Sequence, residues 1–220
     1  MKKLFYILTA IILVGGVSCN NANTEKDKVE SKKIEIKYLE DFMQFKNHDQ
    51  IVDYFGEENV KETTRFEEEG TKEYNVTIVN PENTNSIIVY WGEDKDWEDV
   101  EFVKNIYSNY TYNGKNAKDG GEVYPTRVGV ELGMSLPEIQ EINGAVFTFF
   151  GLAWDYEGFV TELNDKFNDY RLFVGYPNPD LITNCPDEYY NIQGDSEFSS
   201  ENEDALKLRL ELVSISYMEK

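Results

Sequence analysis

Apolar and polar positions in this chain fall into two recurring arrangements. From Asn47, the segment His48-Asp49-Gln50-Ile51-Val52-Asp53-Tyr54-Phe55-Gly56 has an amphipathic pattern and closes on glycine, which predicts a short helix with a glycine C-cap. Ser135-Leu136-Pro137-Glu138-Ile139-Gln140-Glu141-Ile142-Asn143-Gly144 repeats the arrangement. Ser135 is a natural N-cap, Glu138 stands at capping-box spacing, and Pro137 lies in the first turn, where its missing N–H costs nothing. When Gly56 is laid on Gly144, Ile51 and Tyr54 fall on Ile139 and Ile142. An internal repeat spanning half the folded body is the expectation.

Strand signals follow each helix. Tyr74–Val79 and Ser86–Trp91, separated by the turn-rich Asn80–Asn85, predict a hairpin, with a further strand over Val100–Tyr107. In the second half the candidates are Ala145–Phe150, Phe159–Leu163 and Arg171–Gly175. A long terminal strand is predicted where Leu206, Leu208, Leu210 and Leu212 alternate with Lys207, Arg209 and Glu211, a pattern with one face buried and one in water. The expected fold class is α+β, two similar halves at 34–112 and 126–220, each a short helix packed on a curved antiparallel sheet. Residues 113–125, rich in Asn, Gly and Lys, serve as a linker or a long hairpin.

Composition narrows the function classes. The chain of 220 residues has 42 acidic side chains against 21 basic ones and a single histidine, a formal charge of −21. Such a body repels phosphate backbones and anionic lipid headgroups, so no nucleic-acid partner is expected. An aromatic share of 14% argues against a disordered chain.

The N-terminus carries the most specific signal. Lys2 and Lys3 precede an apolar run from Leu4 to Val14, then Gly15-Gly16-Val17-Ser18-Cys19. This is too short for a membrane span and has the layout of a secretory leader. Small residues at Gly16 and Ser18 just before Cys19 resemble the lipobox of bacterial lipoproteins, with Gly16 where Leu is usual. The resemblance implies a signal peptide at 1–18 and acyl chains on Cys19; an ordinary secretory leader with Cys19 incidental is the alternative. Three acyl chains would anchor the protein firmly to a membrane it does not cross. Asn20, not Asp, after the cysteine resembles the sorting pattern of outer-membrane lipoproteins, implying an outer-membrane location that faces either periplasm or cell surface. Residues 19–33 read as a flexible tether.

A second resemblance lies further along. Gly129-Val130-Glu131-Leu132-Gly133-Met134-Ser135-Leu136-Pro137-Glu138-Ile139, followed by Asn143-Gly144 and by Gly151-Leu152-Ala153-Trp154-Asp155-Tyr156-Glu157-Gly158, is similar to the opening element of the β-lactamase-inhibitor-protein-like superfamily and of small outer-membrane assembly lipoproteins. Uncharacterised envelope lipoproteins resemble it more closely still. The match covers about residues 127–175, and the first half lacks the Gly-Met start. The resemblance implies a doubled helix-and-meander unit with a curved antiparallel sheet, and for function it implies binding of an envelope protein far more than catalysis.

Direct weighing of the chemistry points the same way. With Cys19 assigned to lipid, Cys185 has no partner for an intramolecular disulfide, and His48, the one histidine, is far from it in sequence. Burial is the expectation for Cys185. Glu93, Asp94, Asp96, Glu98 and Asp99, like Glu67–Glu69 and Glu201–Asp204, lack an EF-hand order and read as solvated acidic loops. No metal set and no cofactor are expected. The stretch Phe147–Val160 is unusually aromatic; Trp154, Tyr156 and Phe159 are the candidate partner-binding residues, with core packing as the alternative. The expected function is a lipid-anchored, non-catalytic protein-binding or assembly module. The alternatives are a glycan hydrolase using carboxylates and a small-ligand carrier.

Overall fold

The computed structural model describes residues 34–67, 72–91, 105–110, 120–176 and 178–218. The expected leader, tether and Cys19, the acidic run Glu93–Asp99 and most of the predicted linker lie outside them. Ile34–Lys220 makes up one unit.

Helix α1, His48–Phe55, forms where the pattern predicts it. The Asn47 side chain accepts a hydrogen bond from the Gln50 N–H (3.0 Å), and Gly56 follows at φ 86°. Four strands come next as an antiparallel meander: β1 Val60–Glu67, β2 Lys72–Val79, β3 Asn85–Tyr90 and β4 Asn105–Tyr110. The predicted hairpin is β2–β3, and Ile78 stands opposite Ile88 across it. The strand expected over Val100–Tyr107 is present from Asn105; its earlier residues lie outside the described ones. β1 was not legible, because Val60-Lys61-Glu62-Thr63-Thr64-Arg65-Phe66 is an outer strand with only one strand neighbour among the described residues and little apolar alternation.

Helix α2, Leu136–Asn143, carries the complete capping box, with Pro137 in its first turn and Gly144 left-handed at φ 78°. It leads into β5 Thr148–Phe150, β6 Val160–Thr161, β7 Tyr170–Gly175, α3 Pro179–Asn184, α4 Pro186–Asn191, β8 Glu197–Ser199, α5 Glu203–Lys207 and β9 Glu211–Tyr217. The predicted strands at 145–150, 159–163 and 171–175 are thus present, the first two shortened.

The protein is α+β. Its main sheet is antiparallel, ordered β1-β2-β3-β4-β9-β7, and a smaller one is ordered β6-β5-β8. The first half places all four strands in the main sheet; the second half divides its strands between the two. β9 joins the halves by pairing with β4 on one side and β7 on the other.

One face of the main sheet, with Val79, Val89, Ile106, Leu172 and Ile215, packs against Ile51 of α1, Ile139 of α2 and the 3-10 turn Leu39–Gln44. On the opposite face Val76, Ile88 and Tyr90 are buried as a second cluster. Burial on both faces explains why β3 is a continuous apolar run and not an alternating one.

The terminal segment corrects one expectation. Leu206–Leu212 is not a single strand: α5 ends at Lys207, Arg209 adopts a left-handed φ of 53°, and β9 starts at Glu211. Asn202 caps α5 by accepting from the Asp204 and Ala205 N–H groups, both at 3.0 Å. Leu206 is 41% exposed, whereas Leu208, Leu210 and Leu212 are buried. Helical spacing buries Ala205 and Leu208, and the reversal at Arg209 then turns Leu210 and Leu212 inward, so two geometries imitate one alternation.

Two buried carboxylates tie the first half to the second. Asp41 accepts from the Lys37 and Tyr38 N–H groups, both 2.9 Å, and pairs with the Arg127 guanidinium. Glu40 accepts from the Arg127 N–H (2.8 Å) and from the Tyr170 hydroxyl. Arg127 also lies over the Tyr38 ring, 4.9 Å from its centre.

An aromatic row as the candidate functional site

The candidate site is assembled where β5, the turn after it and β7 meet. The Phe150 N–H donates to the Phe159 carbonyl (2.9 Å), the Gly158 N–H to the Phe150 carbonyl (3.1 Å), and the Val174 N–H to the Gly158 carbonyl (2.8 Å). An antiparallel bridge sets Phe159 opposite Phe173. Phe159 therefore stands between one strand of each sheet, and the small sheet continues the edge of the large one.

Directly opposed residues of antiparallel chains share a face. Phe149 and Val160 point into the core, as do Leu172 and Val174. Their neighbours Phe150, Phe159 and Phe173 line up on the other side and are half-buried. Ring centres are 6.5 Å apart for Phe150–Phe159, nearly parallel, and 5.4 Å for Phe159–Phe173. Tyr156, from the turn, adds a fourth ring 5.3 Å from Phe150.

The turn Trp154–Glu157 holds the exposed part. The Glu157 N–H donates to the Trp154 carbonyl and the Phe159 N–H to the Tyr156 carbonyl, both 2.9 Å. Trp154 and Tyr156 are 59% and 60% exposed. Of the three candidates read from sequence, Tyr156 and Phe159 join one row through Phe150, while Trp154 stands at the head of the turn, its indole nitrogen beside Gly194. Core packing is the fate of Phe147 and Phe149 instead. Phe173 escaped the sequence reading because Leu172-Phe173-Val174 shows no alternation; it is the ladder to β9 and the bridge to Phe159 that bring it here.

Carboxylates surround the row. Asp155 and Glu157 are exposed in the turn, and Glu197 of β8 stands opposite Phe150. A second chain of rings, Tyr176–Tyr189–Tyr190, has centres 5.7 and 5.6 Å apart. Burial, then the neighbouring Tyr189 and the Glu157 carboxylate, push the Tyr176 hydroxyl above its usual range. Ring faces, phenolic hydroxyls and carboxylates are chemistry for holding a partner.

The remaining reactive groups are engaged elsewhere. His48 Nδ1 is 2.9 Å from Thr77 Oγ1, which also accepts from the Trp91 indole N–H (2.8 Å). Cys185 is a free thiol, half-buried against the core at the start of α4. Within Glu201–Asp204, Asn202 caps α5 and Glu203 and Asp204 open it, with Asp204 3.6 Å from Lys207. Among the described residues no group of three His, Cys, Asp or Glu side chains is placed to hold a metal ion, and no helix is long and apolar enough to cross a membrane.

No family model, curated protein or solved structure matches this chain.

Proposed function

We propose that this chain is a lipid-anchored protein of the bacterial outer membrane whose folded unit binds an envelope protein without catalysis, through the row Tyr156–Phe150–Phe159–Phe173 and the exposed Trp154. The observation that carries the reading is the placement of five large rings on one junction, two of them more than half exposed. Large, rigid side chains with one polar end anchor protein interfaces at low entropic cost, and clustered exposed rings are unusual on a surface that contacts only water. The anchor rests on the lipobox-like Gly16-Val17-Ser18-Cys19.

The test is cross-linking in living cells of the source organism, with capture through a C-terminal tag. A single envelope protein recovered with the wild type, lost with Tyr156→Ala and reduced with Cys19→Ala, supports the reading. Recovery unchanged by Tyr156→Ala removes the row from it. Metabolic labelling with an alkyne fatty acid tests the anchor separately, since Cys19→Ala must abolish the label.

A further inference from the structure

Away from the aromatic row, the start of α2 and the end of α5 enclose a cavity of about 270 Å³. Leu136 and Leu210, both buried, line it together with Pro137, Ala205 and Leu206. Its polar lining is Ser135, Arg209 and Glu211. Leu206 and Arg209 are exposed at its rim.

The two charged side chains of the lining are without counter-charges. Neither the Arg209 guanidinium nor the Glu211 carboxylate makes a hydrogen bond or ion pair among the described residues. They do not bridge each other, although one residue separates them in the chain. Glu138 adds a second negative charge beside Glu211; its carboxylate accepts from the Ser135 N–H (2.8 Å) and hydroxyl (2.6 Å) and stays fixed there. The lining therefore presents a cation at one place and a carboxylate at another, with hydrocarbon between, and Glu138 strengthens the negative end from just outside it.

We propose that this cavity binds a free α-amino acid with an aliphatic side chain. Its carboxylate meets the planar fork of Arg209, a geometry suited to two parallel hydrogen bonds. Its ammonium group lies against Glu211, with Glu138 close behind, and its side chain covers Leu206 and Pro137, the exposed apolar part of the lining, removing apolar surface from water. A simple anion would face Glu211, and a simple cation would face Arg209. A ligand carrying both charges satisfies each side. Burial, and then the charge of Glu138, hold the Glu211 carboxyl above the usual carboxylate range; an ammonium ion arriving there offsets the second cause and should release protons on binding.

The test is calorimetric titration of the full-length protein in detergent with leucine, N-acetylleucine and leucinamide. Leucine should bind saturably at millimolar concentration or below, with proton release that varies with buffer. Blocking either charged end should weaken binding roughly tenfold or more. Arg209→Asn, chosen because Asn tolerates the left-handed backbone there, and Glu211→Gln should each do the same with an unchanged circular dichroism spectrum. Tyr156→Ala should bind leucine as the wild type does. No saturable binding of leucine, isoleucine or valine overturns the proposal, and so does equal binding of the blocked derivatives or of both variants.

Discussion

A Cβ built on Gly158 would lie 1.8 Å from the carbonyl oxygen of Val174. That contact is the seam between the sheets: Gly158 accepts from the Val174 N–H at 2.8 Å and turns the chain at φ 69° so that Phe159 faces Phe173. Gly144 has a similar positive φ, 78°, with nothing within 4 Å of a built Cβ. The pair separates backbone strain from overlap. Gly144→Ala should cost about 1 kcal/mol, the left-handed penalty for a residue with a side chain. Gly158→Ala carries that penalty and must also push apart a pair of hydrogen-bonded chains, so its cost should reach about 3 kcal/mol or more. Urea unfolding of both variants decides it; equal losses would mean that the seam opens without resistance.

Removing the Arg127 guanidinium leaves Asp41 with the backbone donors of Lys37 and Tyr38 alone. The Asp41 side chain is 8% exposed, whereas that of Arg127 is 56% exposed, so the carboxylate bears the cost. Arg127→Met should destabilise the fold by about 2 kcal/mol. Asp41→Asn keeps an acceptor for both N–H groups and carries no charge to compensate. Arg127→Met added to Asp41→Asn should therefore cost much less than in the wild type, a coupling that a double-mutant cycle measures directly. Additive losses would show that Arg127 acts through its stacking on Tyr38.

Local signals were legible wherever the backbone decides for itself. Asn47 with Gly56 and Ser135 with Glu138 and Gly144 bracketed both long helices correctly, because caps involve residues three or four apart. Failures came where distant partners decide. Phe173 belongs to the row only because β9 and the 158–159 turn flank it, and no local pattern encodes that pairing. Leu206–Leu212 misled because α5 is five residues long, too short to show a helical period, and its cap at Asn202 sits in an acidic run that looked like solvated loop. The charges lining the cavity at Arg209 and Glu211 were invisible for the same reason: α2, which closes it, is far away in sequence.

Exposure sorts the aromatic stretch into two functional kinds. Phe149 is fully buried and packs 6.1 Å from Phe198; Phe149→Ala should cost about 3–5 kcal/mol through the cavity it leaves. Trp154→Ala and Tyr156→Ala remove rings that already stand largely in water, so each should change stability by less than about 1 kcal/mol. Both should nevertheless reduce recovery of the cross-linked partner. Thermal unfolding beside partner capture separates the outcomes: a folded Trp154→Ala protein that captures its partner normally would exclude Trp154 from the interface, and an unfolded one would make it core.

Glu211 supplies a pH dependence of known sign. Burial, followed by repulsion from Glu138, raises its carboxyl pKa in the folded protein. The folded chain then holds this proton more tightly than the unfolded chain, whose carboxyl titrates near its ordinary value of about 4.3. The stability due to the protonated form is thus complete below that value and is lost as pH rises through the higher folded value. Glu211→Gln has nearly the same shape and no such transition. In the absence of ligand it should match the wild type near pH 4 and melt at a higher temperature at pH 7, the gap opening across the interval between the two titrations. A variant that melts lower at pH 7 would mean that the ionised Glu211 has a favourable partner within the protein, with Arg209 the nearest cation in the chain; the cavity would then be neutral in its resting state.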